Sequence, residues 1–332
     1  MQAETADEAA QVQEPQPVHE AERVSPAGEL RATETTADRS DRGDAPVEPM
    51  SEAGRRVAEQ RTYRAQVDLA YGKARDPAAH DEWAEAVPAL HASWEVLREK
   101  YRYEKPPEPV PQADGGSWRG KGGRTLDAAQ NAEIDVGYAR IREVGENVIV
   151  PAILRIAAED PTRTLAGFDQ RIKGEDRLKE KVSALLEPPS TLAAGEALSA
   201  IVDVVRFTYM YHENRYTQGI LADVERLKSQ GFELDRVKNT WTSEQYKGIN
   251  TQWLEPRSGV RFEVQFHTQA SLEAKELTHE SYERIRSITE RTPETEREAE
   301  ELEAFQSKAN AQVPIPPDVR VIEDYRREKR DG

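Results

Sequence analysis

Cysteine is absent from the 332 residues, which removes disulfides, thiolate nucleophiles and cysteine zinc sites and fits a chain independent of an oxidising compartment. Long apolar runs are absent too. The longest, residues 148–154, carries Pro151 and falls far short of a bilayer-spanning length. The opening Met1-Gln2-Ala3-Glu4-Thr5-Ala6-Asp7 has acid where a secretory signal has cations and an apolar core, so the expected location is cytoplasmic, with no membrane association. Positive charge is scarce: 46 Lys and Arg face 62 Asp and Glu, a net charge of −16. That balance argues against non-specific nucleic-acid binding by the whole chain and leaves room for a local basic cleft. The six histidines show no metal-ligand spacing. No Walker-type loop is present, since Gly120-Lys121-Gly122-Gly123-Arg124 is too short for one.

What is there divides by composition. Residues 1–50 hold twelve acidic and four basic side chains with scattered apolar residues, too few to offset chain entropy, and are expected to form a disordered acidic arm. Residues 51–105 read as helical, with Trp83, Val87, Leu90, Trp94, Leu97 and Tyr101 at alternating spacings of four and three. This stripe suits a small helical hairpin on the main domain or a protein-partner arm through 83–101, and Pro88 predicts a kink or a helix start. Residues 106–123, dense in proline and then glycine, predict an extended linker. Residues 124–291 alternate helical and strand patterns and predict an α/β (α+β) domain. Within it, 125–160 gives one or two helices with Val136, Ile141, Val144, Val148 and Ile149 inward. Residues 201–211 and 232–241 give strands, with a helix over 216–230 between them. Residues 271–287 give a helix with Leu272, Ala274, Leu277 and Tyr282 inward. In 292–332, Thr292-Pro293-Glu294 caps one more acidic helix to about 309, and the last twenty residues form an arm.

Chemistry concentrates on a hairpin. From Val260 the even positions Val260, Phe262, Val264 and Phe266 are apolar, while Arg261, Glu263, Gln265 and His267 are polar, a period of two that packs one face and turns the other to solvent or ligand. The partner strand, 249–255, joins through Pro256-Arg257-Ser258-Gly259, a tight four-residue loop. On a helix, Lys173, Arg177 and Lys181 form a cationic stripe beside an apolar sector of Leu178, Val182 and Leu185. The stripe either holds a polyphosphate or is a solvated face with ion pairs such as Glu175 to Lys179. Asp203 and Arg206 sit in an apolar run, on opposite faces if it is a strand, and each needs a partner or a polar cleft. Asp203 and Glu263 on neighbouring strands suit one divalent cation.

In order, these pieces resemble the synthetase domain of the RelA/SpoT family, the pyrophosphokinases that make alarmone nucleotides, over about 165–286. Arg171, Lys173 and Lys181 match an Arg-x-Lys element and its following lysine, with Arg177 at the family's serine position. Gln245-Tyr246-Lys247-Gly248-Ile249-Asn250 is similar to its Gly-Tyr-Arg-Ser-Leu-His element. Glu263-Val264-Gln265-Phe266-His267-Thr268 is similar to its Glu-Ile-Gln-Ile-Arg-Thr strand. His279 and Tyr282 stand for a downstream His-x-x-Tyr. The family's strand aspartate falls at Ile201, two residues before Asp203, about 6.6 Å along a strand.

The resemblance implies a nucleotidyltransferase-like mixed sheet flanked by helices. It implies pyrophosphate transfer from ATP to the 3′-hydroxyl of a guanine or adenine nucleotide (GTP or GDP) or of RNA such as a tRNA 3′ end, with Mg2+ as the one cofactor. ATP would meet Arg171, Lys173, Arg177, Lys181 and Arg206. The acceptor would meet Lys238, Tyr246, Lys247, Asn250, Gln265 and His279, with Tyr246 stacked on its base. Glu263 and Asp203 would be catalytic and hold the metal. The alternative is a catalytically inactive module of the same fold that binds a nucleotide, RNA or a protein.

Overall fold

The computed structural model describes residues 77–102, 112–120, 123–288 and 290–327. The expected acidic arm, residues 51–76 and 103–105 of the expected helical segment, and residues 106–111 and 121–122 of the expected linker lie outside them.

Helix α1 (Pro77–Lys100) carries Pro88 inside rather than starting there, and buries Trp83, Leu90 and Trp94 of the expected stripe. Strands β1 (Gln112–Asp114), β2 (Ser117–Arg119) and β3 (Thr125–Leu126) then pair antiparallel. This corrects the linker expectation for 112–119. Trp118 is the reason: it buries among Leu126, Ile134, Leu178 and Val182 while its indole donates to Asp176 at 3.1 Å, a gain that composition counts do not register.

Helix α2 (Ala128–Val144), capped by Asp127, continues through a π turn at Gly145–Ile149 into α3 (Val150–Glu159), and Pro151 follows directly on that turn, whose wider winding accommodates a residue without an N–H. Val136 and Val148 are exposed, contrary to expectation, because the buried side of this long helix runs through Ile134, Tyr138, Ile149, Ile153 and Ile156. Strand β4 (Arg163–Ala166), helix α4 (Glu175–Leu186) and helix α5 (Ala194–Ala200) follow.

Strand β5 spans only Arg206–Tyr211; residues Val202–Val204 form a 3-10 turn in which Asp203 has φ −97° and ψ 21°. The expected strand from 201 is thus shortened, and Arg206 opens it rather than ending an apolar run. Helix α6 (Glu213–Ser229) ends before Gly231, whose φ of +89° suits glycine. Strands β6 (Glu233–Asn239), β7 (Ile249–Glu255) and β8 (Val260–His267) complete the meander, with β7 and β8 in the expected hairpin register, Glu255 opposite Val260.

Helix α7 (Gln269–Ser287) and helix α8 (Pro293–Ala311), capped by Thr292, pack together and against α1, where Trp94 stacks on Phe305. The last residues do not form the expected free arm among those described. Val313, Val319 and Ile322 bury, and β9 (Tyr325–Arg326) pairs with β6.

The main sheet runs β4-β5-β8-β7-β6-β9, parallel between β5 and β8 and antiparallel elsewhere, so the fold is α+β with a mixed sheet flanked by helices. Its apolar face presents Phe207, Tyr209, Phe262, Val264 and Phe266 to α3 and α6. Each such ring is worth roughly 1.5–3 kcal/mol when buried, so a one-residue slip of β8 is strongly opposed.

Candidate functional site

Register assembles the opposite face. Arg206 lies beside Glu263, and Thr208 beside Gln265, across the parallel pair β5–β8; Gln265 in turn faces Asn250 on β7, and Asn250 faces Lys238 on β6. Of the two expectations for the polar side of β8, solvent or a ligand, solvent is excluded: Glu263, Gln265 and His267 are each at most 1 % exposed. Helix α7 covers it. Lys275 Nζ donates to Gln265 Oε1 at 2.8 Å, and Ser271 Oγ meets His267 Nδ1 at 2.9 Å.

Glu263 is the outlier. Both carboxylate oxygens are buried and neither has a hydrogen-bond partner. Burial raises its pKa, the negative charge of Asp203 adds to the rise, and Arg206 opposes it. Lys275, to which no sequence motif points, is 5 % exposed, and burial followed by repulsion from Arg206 lowers its pKa to about 7. It lines a small cleft with Arg206, Thr208, Gly167 and Gln170. Its helical position looked like an ordinary polar residue. The signal available was its place one turn before His279, on the same side of a helix that follows directly on β8.

Asp203 gathers two of the three stripe cations. Its Oδ2 lies 2.9 Å from Lys181 Nζ and 3.2 Å from Lys173 Nζ, and all three residues are mostly buried. Burial alone would raise the Asp203 pKa, but Lys173, Lys181 and then Arg206 outweigh it and hold the carboxyl well below the usual range. Asp203 takes Lys173 and Lys181 as its ion-pair partners and feels Arg206 only as a nearby charge, and it does so from a 3-10 turn rather than from the expected strand. Lys173 also precedes α4 instead of lying on it, fixed by its N–H bond to Val204 O at 2.8 Å. Arg177 is exposed on α4, one turn before Lys181. The Glu175 to Lys179 ion pair is present at 2.6 Å, joined by Asp135.

Arg171 is drawn close to Arg206 by the backbone bond from Arg206 N to Arg171 O, 2.7 Å. Its guanidinium pairs with Glu146 at 2.8 Å and lies over the Phe168 ring. Tyr246, Asn250 and His267 form their own knot: the Tyr246 hydroxyl is 3.1 Å from Asn250 Oδ1 and 3.0 Å from His267 Nε2. Gly248 permits this closeness, since a Cβ there would stand 2.9 Å from His267 Cε1. Burial pushes the Tyr246 hydroxyl up and keeps His267 neutral. Lys247 folds back on the carbonyls of Trp241 and Ser243 at 2.9 and 2.5 Å, and burial lowers its pKa. Lys238 is exposed on β6, and His279 sits 3.9 Å from Glu283.

A magnesium ion bound through one or two carboxylates and substrate phosphates would find the two unpartnered oxygens of Glu263 a fitting donor. Asp203 offers a second carboxylate already shared with two ammonium groups. Among the described residues no group of three metal-ligating side chains converges, so an all-protein cage is not formed. Nor is any described helix long and apolar enough to cross a membrane.

The sequence matches no protein-family model and no curated protein. Among solved structures it is similar to the small alarmone synthetase 1 from Bacillus subtilis, with 16% identity over 55% of this chain and 92% of that one and a TM-score of 0.37. The same enzyme bound to its product pppGpp aligns at 16% identity over 55% and 94%, TM-score 0.33. A protein from Streptococcus mutans UA159 aligns at 16% identity over 52% and 88%, TM-score 0.35. Superpositions this loose leave the chemistry to the side chains.

Proposed function

We propose that the covered polar face binds ATP and transfers its pyrophosphate to the 3′-hydroxyl of a guanine or adenine nucleotide. The single observation behind this reading is Glu263, a fully buried carboxylate whose two oxygens have no partner although Arg206 is its strand neighbour. A buried acid left this way costs stability unless a ligand completes it.

In the proposed reaction the acceptor 3′-oxygen bonds to the β-phosphorus of ATP, the bond from that phosphorus to the α–β bridging oxygen breaks, and AMP leaves. Glu263 takes the hydroxyl proton; its raised proton affinity suits a base. Arg206, Lys173 and Lys181 supply positive charge where phosphate charge shifts, and Arg171 lies alongside. Alternatively Glu263, together with Asp203, would hold magnesium, which would neutralise phosphate charge in place of the proton-abstracting role. Tyr246, Asn250, Gln265 and His279 would border the acceptor, with Lys238 at the rim.

The purified chain incubated with ATP, magnesium and GTP or GDP is expected to yield a slower-migrating pyrophosphorylated nucleotide, and Glu263→Gln is expected to yield none. The knot of Tyr246, Asn250 and His267, with Lys247 tied to its own loop, favours a second reading in which the face binds a nucleotide without transferring to it. Silence with guanine, adenine and tRNA acceptors, together with retained binding of an ATP analogue, would select it.

A further inference from the structure

Lys275 brings three N–H donors into the cleft and meets one hydrogen-bond acceptor, Gln265 Oε1, at 2.8 Å. Arg206 lines the same cleft from β5, so two cations converge on a space that also admits Thr208 and Gln170. The carboxylate near them, Glu263, is hydrogen-bonded to neither. Glu276, on the same helix, is the other acid acting on Lys275. Lys275 is buried and Arg206 half-buried, and their like charges repel, so an anion placed between them adds to the compensation that Glu263 gives both and lowers that cost. We propose that Arg206 and Lys275 form a phosphate subsite in which the Lys275 ammonium bonds a terminal phosphate oxygen of a polyphosphorylated ligand.

The subsite rests on the reading of this face as a polyphosphate site, and it adds a binding residue from α7 to those on the sheet. Its role is in holding the chain of phosphates, so the loss should appear in binding whether or not transfer occurs.

Inorganic tripolyphosphate binding to the full chain, measured by calorimetry without ATP or acceptor, tests it. Lys275→Met should weaken binding by about ten- to a hundredfold, the worth of a charge-assisted hydrogen bond. Lys275→Arg should recover part of that loss. Lys228→Met, which removes an exposed lysine paired with Glu225 on α6, controls for net charge and should leave binding within about twofold. Circular dichroism melts establish that each variant is folded, and phosphorus NMR of tripolyphosphate with the wild type provides a readout independent of any variant. Wild-type affinity retained in folded Lys275→Met, or no bound phosphorus signal with the wild type, would overturn the subsite. Lys275-dependent binding with no transfer would leave the subsite standing and sink the enzyme; transfer with Lys275-independent binding would do the reverse.

Discussion

Two buried carboxylates on opposite faces of one sheet have opposite surroundings. Asp223, on α6 against the apolar face, accepts from Arg163, from the Tyr211 hydroxyl and from Arg226, and the Arg163 guanidinium lies 4.8 Å from the Tyr209 ring centre. Glu263, on the polar face, has neither oxygen closed by a well-formed hydrogen bond and is met only by the Gln265 side chain and by the charges of Arg206 and Lys275. Both are fully buried, so burial of a charge does not by itself mark a functional site. The difference lies in hydrogen-bonding capacity: Asp223 is closed by the protein, whereas Glu263 and Lys275 keep capacity that a ligand can take up. A closed acid reads as structure, and an open one beside two cations reads as a site.

That contrast can be broken most directly by exchanging stability for activity at each acid. Glu263→Gln should lower transfer by roughly two to four orders of magnitude, the contribution of a general base, while leaving the melting temperature unchanged or higher because a buried charge is gone. Asp223→Ala should do the opposite, costing about 3–5 kcal/mol in urea unfolding because Arg163 is left buried without its carboxylate. A Glu263 variant that melts early, or an Asp223 variant that does not, would erase the distinction.

Asp203 lies between these extremes, since it is closed by Lys173 and Lys181 yet faces the site. Its folded pKa is depressed, so its contribution is fully present above the unfolded value near pH 4 and is lost as the pH falls below that. Unfolding measured at pH 6 and pH 2 should show a loss on the order of 2 kcal/mol from this group, a slope that Asp203→Asn lacks. The smallest effect belongs to α1: Trp83→Phe removes the indole bond to Glu273, 2.6 Å, and should cost roughly 1–2 kcal/mol of stability without altering nucleotide binding.

Strict alternation along 260–267 made the hairpin, its register and Glu263 legible in the sequence, because a period of two has one structural solution when one face must bury. The same pattern could not show that the polar face is buried too, since that depends on α7 folding over it. Asp203 was legible as a residue needing a partner, but the β-prone run from Ile201 concealed the 3-10 turn that aims it at Lys173 and Lys181. Lys275 was invisible because a lysine on an amphipathic helix looks solvated until the helix is docked. Trp118 shows the same limit in the expected linker, where one buried indole orders a segment that its prolines and glycines describe as extended.

The most direct test of the account is a crystal structure of the full chain with magnesium and a non-hydrolysable ATP analogue. Triphosphate density within hydrogen-bonding distance of Arg206 and Lys275, with a Glu263 oxygen on the metal, is the expected result. Density elsewhere, with Glu263 closed onto Lys275 and the face empty, would contradict it.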